Sequence, residues 1–68
     1  MNTATTSYAE TLGMIAFEKG NSAQPGADKQ LMDAVKEVGS ISKEGITLMR
    51  AWMKGWHTAN LMSGGVQP

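Results

Sequence analysis

From Asp28 onward, the apolar and small residues of this chain recur in sevens. Leu31, Val38, Gly45, Trp52 and Ala59 fall in one column, and Ala34, Ile41, Leu48, Gly55 and Met62 in the column three residues on. A third column holds Val35, Ser42, Met49 and Trp56, and a fourth Met32, Gly39, Ile46 and Met53. A period of seven brings these side chains to one side only if the backbone is helical. Asp28 is a suitable N-cap, so the pattern predicts a long helix over about 28–62. At about 100° per residue the four columns cover an arc of about 160°, wider than a helix facing a single core needs.

The arc also contains glycines, each of which costs about 1 kcal/mol relative to alanine in a helix interior. At Gly39, Gly45 and Gly55 a missing side chain would let a second helix backbone come close, with Trp52 and Trp56 filling the space around Gly55. Val38, Gly45, Leu48, Trp52, Gly55 and Trp56 are therefore expected to face other subunits as well as the chain's own first helix. The alternative is a break near Val38–Ser42, with Ser40 or Ser42 capping the second piece, which would give a three-helix fold.

Upstream, the SYAE of residues 7–10 reads as a capping box, Ser7 with Glu10, and predicts a helix over about 7–19. Tyr8, Leu12, Ile15 and Lys19 share one side of it. Ala9, Gly13 and Ala16 form a small-residue strip beside them, and the KGN of residues 19–21 supplies a left-handed stop. Pro25 and Gly26 mark a loop over 21–27. The expected architecture is all-α: a single helical-hairpin domain over 1–68, with a short N-terminal helix, a Pro/Gly loop and a long amphipathic C-terminal helix, assembled into a homo-oligomer or filament.

Size supports the assembly. A chain of 68 residues buries only about 60% of the surface its unfolded form exposes and usually needs a disulfide, a metal or a partner. It has no cysteine and one histidine. The polar side is ordered too: Lys36, Lys43, Arg50 and His57 recur in sevens, with Glu37 and Glu44 beside them. Such stripes suit either a solvated face or pairing between identical subunits.

Other classes lack their residues. Six basic residues balance six acidic ones, which argues against a nucleic-acid binder. His57 has no second ligand nearby, the serines have no base at a recognisable spacing, and no glycine-rich loop precedes a lysine and a hydroxyl residue. No enzyme activity, cofactor or metal is expected. The N-terminus has no basic region followed by an apolar run, and no window approaches the ~20 apolar residues of a transmembrane helix. The methionines are expected in the core. A peripheral membrane helix, with Trp52 and Trp56 at the interface and Lys43, Arg50 and Lys54 toward head groups, is disfavoured by Glu37 and Glu44 on the same side.

In pattern, SAQPGADKQLMDAVKEV followed by the amphipathic run to Met62 resembles the subunits of type III secretion needles and Hrp pili. The resemblance implies a homopolymeric extracellular conduit exported without a cleavable signal, with Lys36, Lys43, Arg50 and His57 lining the lumen. Its partners would be further copies of itself and other secretion or host proteins. The competing expectation is a small helical adaptor or inhibitor, such as a phage anti-defence protein or a regulator. It would act in the cytoplasm as a dimer or small ring and bind a protein through its Trp/Met face.

Overall fold

The computed structural model describes residues 3–39 and 42–63, the side chains of 3–5 excepted. Among these the chain is all-α: α1 (Thr3–Glu18), a 3-10 turn (Pro25–Ala27), α2 (Lys29–Val38) and α3 (Lys43–Met62). The long helix expected over 28–62 is thus two helices. Gly39 breaks it, with φ 96° and ψ 113°, a conformation that an L side chain rarely adopts. Ser42 then starts α3, its hydroxyl accepting from the amide of Gly45 at 3.1 Å. The same hydroxyl lies 2.8 Å from the carbonyl of Val38 and 2.6 Å from that of Gly39, and its one proton can be given to either. Ser40 and Ile41, the other candidate cap and one column member, lie outside the described residues.

The first helix also starts earlier than the capping box predicts. Ser7 lies inside α1, where its carbonyl accepts from the Thr11 hydroxyl at 3.0 Å. The Glu10 carboxylate reaches across to Lys54 at 3.7 Å. A capping box is a local signal, and it loses here because residues 3–6 contain neither glycine nor proline to stop the helix running through them. The other end matches expectation. Gly20 takes φ 82°, its amide bonds Phe17, and the amide of Asn21 bonds Ala16, the two bonds of a Schellman stop.

On α1 the small strip goes inward: Ala9, Gly13 and Ala16 are buried together with Leu12, while Tyr8 and Ile15, from the side that Leu12 shares, remain 47% and 40% exposed. The reason is a close crossing with α3. A Cβ placed on Gly13 would fall on the carbonyl of Trp52, and one on Gly55 would fall on the carbonyl of Glu10. Only hydrogen fits at either position, and in both places it points at a helix carbonyl, the geometry of a weak Cα–H···O contact.

α1 packs chiefly on α3, α2 also packs on α3, and α1 and α2 touch little. Trp52, Leu48, Leu31 and Val35 are the largest side chains at the centre, each less than 2% or at most 2% exposed. The three aliphatic ones each contribute on the order of 1.5–3 kcal/mol by burial. Met32, Met49 and Met53 are half-buried and pack around this centre, filling the irregular space that flexible side chains suit.

Candidate functional site

The break at Gly39 changes what the wide apolar arc is for. Its columns belong to two helices, and α2 covers part of α3 that a continuous helix would leave open. Of the six residues expected at subunit contacts, Gly45, Leu48, Trp52 and Gly55 are buried within the chain, and Val38 and Trp56 are half-buried. The close approach that the glycines permit is therefore made, at Gly55, by the chain's own α1.

The two tryptophans do more than fill space. Trp52 donates its indole N–H to Asp28 Oδ2 at 2.9 Å, while the other oxygen of that carboxylate accepts from the amide of Leu31 at 3.2 Å and caps α2. Trp56 donates to the carbonyl of Asn21 at 3.0 Å and meets Phe17 edge to face, with ring centroids 5.2 Å apart. Both indoles thus tie α3 to the connection between α1 and α2. A buried indole needs such a partner, and the partners are a carboxylate and a loop carbonyl that sit far away in sequence.

The charged side chains do not converge. Lys36 and Glu37 lie on α2, whereas Lys43, Glu44, Arg50 and His57 lie on α3, and all six are exposed. The four-member basic stripe is divided by the turn, which leaves Lys43, Arg50 and His57 in register. His57 stands edge-on to Trp56, with ring centroids 5.3 Å apart. Among the described residues the side-chain ion pairs lie elsewhere: Lys29 with Asp33 at 3.5 Å and Lys54 with Glu10 at 3.7 Å. Among the described residues no group of three His, Cys, Asp or Glu could hold a metal ion, and no helix is long and apolar enough to cross a membrane.

Two surface features remain. A groove of about 400 Å³ lies where the end of α1, the connection and the start of α2 meet, floored by Leu12, Ala16 and Trp52 and rimmed by Lys19 and Lys29. Large apolar side chains are exposed on the outward side of α1, at Tyr8 and Ile15, at Ile46 near the start of α3, and at its end, where Leu61 and Met62 are 73% and 76% exposed.

No family model, curated protein or solved structure matches this chain. The likeness to needle and pilus subunits accordingly rests on sequence pattern alone. The residues that sequence reasoning missed are Gly13, Asn21 and Asp28 in its second role. Gly13 stood in the small-residue strip but carried no signal of its depth, and the two indole acceptors carry none at all.

Proposed function

We infer that this chain acts by binding another protein, as a small helical adaptor or inhibitor. The observation that carries the reading is the closed core: Leu48, Trp52 and Gly55, which a filament subunit would use between copies, are consumed within one chain. A monomer that satisfies its own tryptophans has less reason to polymerise, and the apolar surface left over is confined to scattered places. Tyr8 and Ile15, seven residues apart on α1, are an exposed apolar pair on one side of the helix, which a partner's groove or helix could cover.

A photo-crosslinking residue at Tyr8 or Ile15, compared with one at Glu37, tests this in cells that make the protein. Adducts of fixed mass from the α1 positions and none from Glu37 support the reading. Light scattering over a wide concentration range gives the opposite outcome its chance, because unlimited growth in mass would favour a filament subunit. That second reading keeps one specific observation in its support, the apolar pattern that continues in sevens past the turn at Gly39.

A further inference from the structure

Two independent helices joined by a turn have no need to share a phase. In this chain they do. Leu31 and Val38 on α2 are continued by Gly45, Trp52 and Ala59 on α3, and Ala34 by Leu48, Gly55 and Met62, with no residue gained or lost across the turn. If the turn were helical, one apolar stripe would run through both helices, drifting only about 20° per seven residues. What prevents it in this structure is Gly39, held at positive φ with a long 3.3 Å bond from its amide to Lys36, and the Ser42 cap that begins α3 afresh.

The distribution of contacts across that turn matters equally. Each element before Gly39 has contacts on α3: α1 through the crossing at Gly13 and Gly55, α2 through Leu31 and Val35, and the connection through the indole bonds of Trp52 to Asp28 and Trp56 to Asn21. Lys54 and Glu10 make a further link of the same kind. None of these contacts depends on the two halves belonging to one chain.

We propose that two copies of this chain exchange halves about Gly39. In the exchanged dimer α2 and α3 join into one helix, and the segment 3–38 of each copy seats on the α3 of the other. Every contact of α1, α2 and both indoles is recovered between chains, and Gly39 leaves its positive-φ conformation for a helical one. The partner is a second copy, because only α3 of this sequence presents Gly55, Trp52 and Trp56 at the spacing that the other half requires. Exchange of identical elements through a short hinge is an inexpensive route to a dimer. It goes beyond the adaptor reading and stands or falls separately from it.

The test uses the full chain. Wild type refolded from urea at high concentration should yield a dimer by sedimentation, and refolding at low concentration should yield monomer. Gly39→Ala disfavours the turn and favours the helix, so it should lower the dimer dissociation constant at least tenfold. A two-residue Gly-Ser insertion after Gly39 relaxes the turn and shifts the phase of the stripe, so it should abolish the dimer. This second variant carries the test if Gly39→Ala does not fold. Tagged and untagged chains should form mixed dimers when refolded together, but not when folded dimers are merely mixed. A wild type that stays monomeric however concentrated its refolding, an insertion variant that dimerises as well as wild type, or dimers that exchange partners freely on mixing would each overturn the proposal.

Discussion

Asp28 and Trp52 are joined by a 2.9 Å hydrogen bond in which the carboxylate that caps α2 also receives the indole of α3. One side chain therefore sets where a helix begins and which way a second helix faces. Neither role is visible from the other in sequence.

Replacing this carboxylate separates the roles. Asp28→Asn keeps an oxygen for the Leu31 amide but turns an N–H toward the indole, and should cost about 1–2 kcal/mol. Asp28→Ala loses the cap as well, and should cost about 1 kcal/mol more. Urea unfolding followed by tryptophan fluorescence would order the series as wild type, Asn, Ala. Equal stability of all three would mean that the bond contributes nothing.

The crossing glycines should be far less tolerant than their exposed counterpart. Gly13→Ala and Gly55→Ala each drive a methyl group into a helix carbonyl, and the helices must part to admit it. Overpacking of this kind costs roughly 1–3 kcal/mol even where side chains can give way, and backbone gives way less. Alanine's better helix propensity returns about 1 kcal/mol, so a net loss near 2 kcal/mol is expected. At Gly26 a Cβ would meet nothing within 4 Å, and alanine there should leave the melting temperature almost unchanged.

Gly20→Ala tests the stop of α1. Its φ of 82° is strained for alanine although the space around it is open, so a loss on the order of 1 kcal/mol should arise from the backbone alone. Gly20→Asn should recover part of it, since asparagine tolerates the left-handed region. Thermal melts of the two variants, compared under the same conditions, would show whether that order holds.

Ser42→Ala removes the hydroxyl that serves both sides of the turn. Losing the cap on the Gly45 amide should cost about 1 kcal/mol, and Ser42→Asp, which can cap but cannot donate to Val38 or Gly39, should lie between. Amide exchange at Gly45 and Ile46 should speed up in the alanine variant more than exchange at Leu48.

Much of the interior was legible before the fold was known. The columns placed Leu31, Val35, Leu48, Trp52, Gly55 and Ala59 on an apolar side, and all six are buried. What a period of seven cannot report is a turn that preserves the phase, which is why two helices read as one and the arc looked too wide for a single chain. On α1 the large apolar residues outrank alanine and glycine in hydrophobicity, yet Tyr8 and Ile15 stay outside because contact with the Trp52 carbonyl admits no side chain at Gly13. Trp52 and Asp28 lie 24 residues apart, and no local pattern links an indole to its acceptor over that separation.

The crossing of α1 with α3 also fixes an order of events during synthesis. The small strip of Ala9, Gly13 and Ala16 finds its cover on the helix that the ribosome makes last among those described, so α1 must wait while the whole of α2 and α3 is added. Until Trp52 and Gly55 have been translated, the N-terminal half has little to pack on, since α1 and α2 touch only slightly. Tertiary structure in this protein is therefore a late and collective step. During synthesis, neighbouring nascent chains on the same messenger would hold their unfinished halves close together.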